Sequence, residues 1–449
     1  MPTLGLAMIV KDGANRLRDC LASAAGLASQ VVIADTGSTD GTPELARALG
    51  AQVFDLPWQD DFSAARNAAI ERLTTDWVLV MDDDEELDPA AEEEIPPLLR
   101  HAQVGGFFLT QRNYLPVSLG SGGHATSVRP NDSTFPRAPQ AQGYADFPSC
   151  RLFRRHPQIR YSGRVHEQVI PQIRALGFAL AGAGSIVHHF GHLSSPAQLR
   201  AKDELYRKLG RLKLNDAPND PQAWIELGLQ EYEQFKNYAA GIECFRKALA
   251  LDPHGSAVPY LSLANLYVEI QAEELALDLL ANVSMLGQSA GVKEHIRGNA
   301  LYNLGRLKEA RSAYLRALRI LPRDVRIATK LGLTEIRLGR RQAASGLKKS
   351  GLARITRSLQ ESPEMLEVHD RMIKGYLLMN MLPQAAQAAE RLARELPTPA
   401  TILRAASIRA RLQDWKAAED FVLRGREKFP DSPELFRASA ELAARQPQV

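Results

Sequence analysis

The first half of the chain alternates short apolar runs, which predict buried strands, with segments in which apolar residues recur at helical spacing. The predicted strands are 4–10, 31–34, 52–54 and 77–81, and the predicted helices between them are 15–24, 43–49 and 64–73. Alternation of this kind favours a mostly parallel sheet with helices packed on its faces. We therefore predict an α/β domain at the start of the chain.

This alternation breaks down between residues 105 and 147. The stretch 119–147 is rich in Gly, Pro, Ser and Asn, a composition typical of a functional or disordered loop. We interpret it as a flexible loop over an acceptor site. Ordered patterns resume at 150–154 and again at 182–190, so we place the end of the first domain at residue 194.

The remainder of the chain is helical and repeats itself. Residues 245–253 read FRKALALDP and residues 314–322 read YLRALRILP, 69 residues later. Two periods of about 34 residues fit this separation, and 34 is the period of tetratricopeptide (TPR) repeats. We predict a helical linker at 195–220 and a TPR solenoid at 221–449. The concave face of such a solenoid typically binds a peptide or another protomer, so a homodimer through the repeats is one alternative. The basic stretch 339–358 is interpreted as a solvated face or a long loop.

Composition narrows the classes of function. The chain has 449 residues, too many for one ordinary core, and a net charge of +3, which argues against a coat for nucleic acid. No apolar run approaches the roughly 20 residues of a transmembrane helix. The N-terminal apolar run lacks a preceding basic residue, so a core strand is favoured over a signal peptide. Three scattered cysteines fit a reducing compartment, which predicts a cytoplasmic protein.

Polar groups follow three of the predicted strands at the point where each strand ends. Lys11-Asp12 follows the first strand, Asp35 follows the second, and Asp82-Asp83-Asp84 follow the fourth. The carboxyl ends of parallel strands meet at one edge of a sheet, and ligands bind there. We therefore predict a site at this edge, although the acidic run taken alone would read as a solvated turn.

The residue types indicate which ligands this edge could hold. There is no glycine-rich dinucleotide fingerprint and no P-loop. Asp35 could accept the imide N–H of a uracil ring, and Arg66 could cover the base or reach a phosphate. Asp84 could bind Mg²⁺ or Mn²⁺, since these hard cations prefer oxygen ligands.

Seven segments together resemble the bacterial family 2 glycosyltransferases that carry TPR repeats. These segments are MIVKDG, VVIADTGSTDGT, DFSAARNAAI, DWVLVMDDDEEL, RLFRR, GRVHEQV and HHFGH. This broad group includes peptide S- and O-glycosyltransferases, such as the sublancin enzyme. The resemblance implies a GT-A fold, a UDP-sugar donor, a Mg²⁺ or Mn²⁺ cofactor and a peptide or protein acceptor.

The resemblance also implies a role for particular residues. It assigns nucleotide-sugar binding to Val10, Lys11, Asp35, Arg66, Asp82 and Asp83, metal binding to Asp84 and His189, catalysis as a general base to Glu167, and the acceptor side of the site to His166 and Arg151. His189 is chosen over His188 and His192 because it matches the family's H-x-G pattern. Glu167 could instead pair with Arg160 or Arg164, and Arg151 could form a plain salt bridge.

The sequence departs from the family pattern at two places. Asp12-Gly13 stands where the family usually has Asn-Glu, so a side-chain role at position 13 is in doubt. The usual D-A-D is D-D-D here, and we expect the added Asp83 to point to solvent.

Three functions are compatible with the sequence. The first is an inverting, metal-dependent transfer of a sugar from a UDP-sugar to a peptide or protein positioned by the repeats. The second is the same chemistry on a lipid-linked or polysaccharide acceptor. The third is a TPR scaffold whose transferase domain has decayed, although the metal-binding acids and the base are present.

Overall fold

The chain forms two compact units, Met1–Leu251 and Asp252–Val449. The computed structural model describes residues 1–116, 129–131, 135–138, 141, 143–362 and 365–445. Most of the loop predicted at 119–147 lies outside these residues, although 143–147 belong to a strand. The domain boundary that the sequence suggests at residue 194 stays a prediction.

The first unit contains a nine-stranded sheet. Its strands are β1 Leu4–Val10, β2 Gln30–Asp35, β3 Gln52–Asp55, β4 Trp77–Val80, β5 Glu85–Leu87, β6 Val104–Leu115, β7 Arg129–Pro130, β8 Gly143–Arg154 and β9 Ala179–His189. The strand order is β3-β2-β1-β4-β8-β6-β9-β5, and β7 pairs with β8. The first unit therefore has the α/β character that the alternating pattern predicted.

The sheet is mixed: the first four strands are parallel, as predicted, and β6 and β9 also run parallel to each other. Strands β1 to β4 are parallel to one another, but β8 runs antiparallel to β4 and to β6, and β5 runs antiparallel to β9. The sheet is mixed because β6 and β8, 12 residues each, pair with each other in antiparallel register.

Helices cover both faces of this sheet. They are α1 Leu17–Ala24, α2 Thr42–Ala48, α3 Phe62–Glu71, α4 Ala91–Leu98 and α5 Ile170–Ala175. Side chains alternate along β1, so that Leu6 and Met8 join the core beneath α1 and α4, while Ala7 and Ile9 join the core beneath α3 and α5. Both faces of the parallel strands are thus buried, as their nearly continuous apolar sequences require.

Three further helices complete the first unit. They are α6 Pro196–Asp216, α7 Pro221–Glu233 and α8 Tyr238–Leu251. Ser195 and Gln198 form a capping box at the start of α6, where Pro196 takes the first helical position. The buried carboxylate of Glu231 in α7 accepts hydrogen bonds from Arg207 of α6, at 2.8 Å. The segment predicted as a linker is therefore a packed helix.

The second unit is a stack of helices. They are α9 Val258–Glu269, α10 Glu273–Ala281, α11 Gly287–Asn303, α12 Leu307–Ile320, α13 Val325–Arg341, α14 Ser345–Glu361, α15 Leu366–Leu378, α16 Leu382–Glu395, α17 Pro399–Arg411, α18 Trp415–Lys428 and α19 Pro433–Arg445. Consecutive helices pack in antiparallel pairs, as in TPR solenoids. The basic stretch 339–358 lies at the end of α13 and in α14, so the long-loop alternative is wrong. Among the residues described, no helix combines the length and the apolar content that crossing a membrane requires.

In two helix pairs, a glycine packs closely against the aromatic residue that begins the repeat signature. A Cβ on Gly298 of α11 would lie 2.6 Å from the buried ring of Tyr314 in α12, and a Cβ on Gly228 of α7 would lie 2.8 Å from Phe245 in α8. In each pair the ring fills the space that a side chain would take. These glycine–ring contacts set how closely the two helices of a repeat approach.

Gly298→Ala is therefore expected to destabilise the second unit by about 1–3 kcal/mol, because the buried Tyr314 ring has to move. Gly346→Ala, in the same unit, is the matched control, since a Cβ there meets open space in α14. It should be neutral or stabilising by about 0.5 kcal/mol. Urea unfolding followed by circular dichroism measures both; equal effects for the two variants would contradict this explanation of the packing.

Candidate active site at the carboxyl edge of the sheet

Asp35 ends β2 and is almost completely buried. Its Oδ2 accepts hydrogen bonds from the backbone N–H groups of Gly37 and Ser38, at 3.1 and 3.0 Å. Its Oδ1 is buried and has no hydrogen-bond partner among the residues that the structure describes. A buried carboxylate oxygen without a partner is costly, and it marks a place where a ligand can donate a hydrogen bond.

The ends of β1 and β2 are joined by Asp12, which has a left-handed backbone with φ 51°. Its Oδ1 accepts from the N–H of Thr39 at 2.8 Å, and its own N–H donates to Ser38 Oγ at 2.8 Å. Val10 is buried, and its carbonyl accepts from Thr36; Lys11 is exposed beside it. Asp12 thus connects the loop after β1 to the loop after β2, while the Lys11 side chain remains accessible to a ligand.

Asp82 lies between two buried arginines. Arg66 Nη2 is 2.8 Å from Asp82 Oδ1, and Arg151 Nη2 is 3.3 Å from Asp82 Oδ2. Burial raises the pKa of Asp82, but the two guanidinium groups outweigh it and hold the pKa well below its usual range. Asp82 is therefore a permanent anion that fixes both arginines.

The structure contradicts the expectation that Asp83 points to solvent. Asp83 Oδ2 accepts from Arg16 Nε at 2.8 Å, and the Asp83 side chain is 14% exposed. A Cβ branch on Gly13 would come within 2.5 Å of the same oxygen. Burial raises the pKa of Asp83 to about 6 despite Arg16. Arg16, which the sequence analysis did not single out, forms an ion pair with Asp83 and offsets its charge. This ion pair lies beside Gly13, which has no side chain.

Glu85 and Glu86 are also buried, although they read as part of an acidic turn. Glu85 Oε1 lies 2.6 Å from Arg151 Nη2, and Glu85 Oε2 accepts from the N–H of Asp82. Glu86 Oε1 lies 2.5 Å from Arg137 Nη1. Burial raises the pKa of Glu85, although Arg151 opposes this. Arginine partners at four of the five successive carboxylates thus offset their mutual repulsion.

Asp84, the fifth carboxylate, faces His189 instead. The pairing of β5 with β9 brings them together, and His189 Nε2 lies 3.6 Å from Asp84 Oδ1. His189 Nδ1 is 2.5 Å from Asn113 Oδ1, which leaves Nε2 directed at Asp84. A Cβ on Gly191 would lie 2.6 Å from Asp84 Oδ2 and 2.7 Å from His189 Nε2. The glycine of the H-x-G pattern therefore keeps space open beside both groups.

The other two histidines of this cluster have different surroundings. His188 is buried, with Nδ1 2.8 Å from the Tyr114 hydroxyl and Nε2 3.3 Å from Asp88. His192 is exposed, and its ring centroid is 5.5 Å from that of His189. Only His189 of the three has a ring nitrogen within 4 Å of Asp84.

Asp84 and His189 can supply part of a coordination shell. Among the residues described, no group of three or more His, Cys, Asp or Glu side chains could hold a metal ion. One carboxylate and one imidazole are nevertheless compatible with Mg²⁺ or Mn²⁺, because such ions commonly take their remaining ligands from substrate phosphates and water. The pair and the open space beside Gly191 fit a metal that is completed by a ligand.

Glu167 lies in a loop closed by backbone hydrogen bonds between Ser162 and Gln168. Its Oε1 is 2.6 Å from Arg66 Nε, so its partner is Arg66 and neither of the two arginines considered from sequence. His166, just before it, is exposed and has a left-handed backbone with φ 53°. Arg160 pairs with Glu71 and Arg164 pairs with Asp216. Arg66 thus links Glu167 of this loop to Asp82 of the acidic run.

A pocket of about 190 Å³ opens beside this network. It is lined by Arg66, Phe108, Pro148, Ser149, Cys150, Arg151, Tyr161, Glu167, Gln168, Val169 and Ile170. Arg66 Nη1 and Arg151 Nε are buried, and neither has a hydrogen-bond partner within the described part of the chain. The pocket therefore combines apolar walls with hydrogen-bond donors and one carboxylate, which is the character of a small-molecule site.

Helix α6 adds residues that the sequence analysis missed, because it lies beyond the predicted first domain. The ring of Tyr206 is 5.7 Å from the rings of Phe62 and His166. Lys202, one turn earlier, is exposed, and its Nζ lies 5.8 Å from the Tyr206 ring. No sequence motif marks these two residues; only the folding of α6 against the 162–168 loop reveals them.

Among the described residues, seven of the predicted site residues form one group, and the other four, Val10, Lys11, Asp35 and His166, lie outside it. Arg66, Asp82, Arg151 and Glu167 form a continuous network, and Asp83, Asp84 and His189 adjoin it through the acidic run. Val10 and Lys11 share the strand edge with Asp35 without a side-chain contact to this network among the described residues. Their roles toward a ligand stay predictions.

Comparison with known proteins identifies the two parts of the chain. Residues 6–160 match the family described as Glycosyl transferase family 2, and residues 230–338 match one described as Tetratricopeptide repeat-like domain. The chain therefore carries a family 2 glycosyltransferase domain near its N-terminus, followed by a TPR-like domain. The predicted order of an α/β domain and a helical solenoid is confirmed.

Individual relatives agree with this division. A TPR repeat-containing protein of Synechococcus elongatus is 32% identical over 238 residues, which are 51% of this chain and 52% of that protein. The SPbeta prophage-derived glycosyltransferase SunS of Bacillus subtilis is 23% identical over 250 residues, which are 55% and 53% of the two chains. An uncharacterized glycosyltransferase of Rickettsia prowazekii is 33% identical over 95 residues, 21% of this chain and 32% of the other. The chain spans about half the length of the first two relatives and a third of the last.

Proposed function

We propose that the family 2 glycosyltransferase domain moves a sugar, with inversion, from a UDP-sugar to a peptide or protein acceptor, with Mg²⁺ or Mn²⁺ as cofactor. The observation that carries the proposal is the position of Arg66. Its guanidinium group contacts Asp82 of the acidic run on one side and Glu167 on the other. A donor-binding acid and a candidate base are thereby held at one edge of one sheet.

Asp35 supports a uracil-containing donor. Its unpartnered Oδ1 can accept one hydrogen bond, and the imide N–H of uracil is a single directional donor. The glycine-containing loop that follows β2 gives its backbone N–H groups to the other oxygen. This arrangement keeps the carboxylate fixed in the orientation in which it would receive the base.

Asp84 and His189 are the residues proposed to hold the metal. A divalent ion bound there would act as a Lewis acid that stabilises the negative charge of the departing diphosphate. Asn113 holds the His189 ring so that Nε2 faces Asp84, which is the usual task of a residue behind a metal ligand.

Glu167 is proposed to accept the proton of the acceptor nucleophile. An inverting transfer requires a base on the side of the sugar opposite the leaving group. The hydrogen bond from Arg66 Nε to Glu167 Oε1, at 2.6 Å, holds the carboxylate in a fixed orientation beside the pocket. The pocket beside Glu167 would then receive the transferred sugar together with the reacting group of the acceptor.

The TPR-like domain supports a peptide or protein acceptor, since stacked helix pairs present an extended surface suited to a polypeptide. This surface would bind part of the acceptor polypeptide. We also propose that the protein acts in the cytoplasm and that two copies of it associate through the repeats.

The proposal is tested by measuring UDP release from UDP-glucose, UDP-N-acetylglucosamine and other UDP-sugars with Mn²⁺. We expect at least one donor to be consumed, and EDTA to stop the reaction. Mass spectrometry of candidate peptides would then show the added sugar. If the protein binds no nucleotide sugar, the proposal is wrong. If it transfers the sugar to a glycolipid or polysaccharide and to no peptide, the proposed peptide or protein acceptor is wrong.

A further inference from the structure

Helices α11, α13 and α15 are the first helices of three successive pairs in the second unit. In addition to its pair partner, α13 contacts both α11 and α15, so the three helices form one continuous surface. Four basic side chains lie together on it, and we call them the cation cluster. Its members are Arg326, Lys330 and Arg337 of α13, which recur four and seven residues apart on one face of the helix, and Arg371 of α15.

The ring of Tyr302, near the end of α11, contacts two members of the cation cluster. Lys330 Nζ lies 5.8 Å from the centroid of this ring, and Arg337 Cζ lies 4.4 Å from it. Arg337 also donates a hydrogen bond to the Tyr302 carbonyl at 3.4 Å. An aromatic face attracts cations modestly. The ring thus keeps a lysine and an arginine at one place on the surface, although their charges repel each other.

Arg371 is held against the same turn of α13. Its guanidinium is buried, and Nη1 donates to Thr329 Oγ1 at 2.5 Å and to the Arg326 carbonyl at 2.9 Å. Thr329 directly precedes Lys330 in the helix. These hydrogen bonds therefore fix a third cation beside the turn that carries Lys330, in an orientation that does not depend on a ligand.

The positive charge of the cation cluster is only partly offset. Arg326 and Arg371 each form an ion pair with one carboxylate. Lys330 and Arg337 are half-buried, and neither forms an ion pair with any residue in the described ranges. Burial lowers the pKa of Lys330 to about 8, and the nearby Arg371 lowers it further. A carboxylate that arrived here would restore part of the favourable interaction with water that Lys330 loses through burial.

We propose that the cation cluster binds an acidic segment of a polypeptide, whose carboxylates contact Lys330 and Arg337. The inference deepens the proposed function and rests on it, because this segment would belong to the acceptor. Carboxylates match both the point charge of a lysine and the paired N–H groups of an arginine. Complementary charge of this kind mainly provides specificity and fast association.

The shape and the charges of this surface favour a peptide over nucleic acid. Three neighbouring helices offer a surface several side chains long, which suits an extended polypeptide. Asp324 and Glu367 lie within the cation cluster as the partners of Arg326 and Arg371. They would repel the closely spaced phosphates of a nucleic acid, whereas the carboxylates of a peptide can be placed between them.

The test measures the fluorescence anisotropy of a labelled octaglutamate peptide with the full chain, at low and at physiological salt. We expect the wild type to bind this peptide, more weakly as salt rises, and not to bind a glycine–serine peptide of the same length. Lys330→Met should raise the Kd about tenfold, since a charge-assisted contact at a half-buried position is lost. Lys330→Arg should stay within about threefold of the wild type, because the charge remains.

Lys349→Met is the matched control, because it removes the same charge from an exposed position on α14, which is not one of the three helices. Its Kd for octaglutamate should equal that of the wild type. Equal losses in Lys349→Met and Lys330→Met would overturn the proposal, since only net charge would then matter. Binding of a single-stranded oligothymidylate as tightly as octaglutamate would overturn it too, because the surface would then accept any polyanion.

Titration of the same preparations with UDP-sugars separates this inference from the proposed function. A wild type that binds a UDP-sugar but no octaglutamate would overturn the role of the cation cluster and leave the proposed function intact. A wild type that binds octaglutamate but no UDP-sugar would overturn the proposed function, and with it the inference that the acidic segment belongs to an acceptor.

Discussion

Asp84→Ala is expected to abolish metal-dependent donor binding and to lower the rate of transfer about a thousandfold. The substitution removes the carboxylate that His189 faces, and the remaining imidazole alone should not retain Mg²⁺ or Mn²⁺. Loss of a metal that stabilises a leaving diphosphate costs several kcal/mol of transition-state stabilisation, and about 4 kcal/mol corresponds to a thousandfold in rate. The rate of UDP release and the Kd of Mn²⁺ in the presence of UDP measure the two effects.

Asp83→Asn is the control for Asp84→Ala, because the two carboxylates are neighbours with different partners. Asp83 pairs with Arg16, whereas Asp84 faces His189. We expect Asp83→Asn to bind the metal as tightly as the wild type does. Its rate of sugar transfer should stay within about tenfold of the wild-type rate, since only a partly buried ion pair is changed. Equal losses in the two variants would contradict the assignment of Asp84 as the metal ligand.

Glu167→Gln is expected to lower transfer by about 10²–10⁴-fold while leaving the Kd of UDP unchanged. The amide can still accept a hydrogen bond from Arg66 Nε, so the loop should keep its structure, but the amide cannot take the proton of the nucleophile. Single-turnover transfer to an identified acceptor, together with titration of UDP, separates loss of chemistry from loss of binding.

A surface carboxylate in the same unit provides the comparison for Glu167. Glu71 pairs with Arg160 at 3.5 Å and is far more exposed. Glu71→Gln should transfer at the wild-type rate, because an exposed ion pair contributes little. If Glu167→Gln also transfers at the wild-type rate, Glu167 only positions Arg66 and is not the base.

The order of the first four strands was readable from the sequence because each of them contains a short apolar run. The strand predicted at 4–10 is found at Leu4–Val10, and the helix predicted at 64–73 is found at Phe62–Glu71. The predicted start of that helix was two residues late, because Asp61 provides the N-cap by accepting from the N–H of Ala64. Local sequence signals thus predicted which helices and strands form more accurately than they predicted the first and last residue of each.

The pairing of the later strands was not readable in the same way. Strand β5 has three residues inside the acidic run, and charged residues are not typical of a buried strand. It forms because β9 supplies a partner and Arg151 neutralises Glu85. Both conditions depend on segments at least 60 residues away along the chain, which no local pattern contains.

The sequence by itself determined the class of the fold, the repeat and the edge at which acidic residues collect. These depend on periodicity and on the rule that parallel strands end together, which need no knowledge of distant contacts. The tertiary structure decided the partner of each charge: Arg16 for Asp83, Arg151 for Glu85, and Arg66 for Glu167. A charge finds its partner in space, and burial makes the absence of a partner costly, so these pairings arise only once the chain has folded.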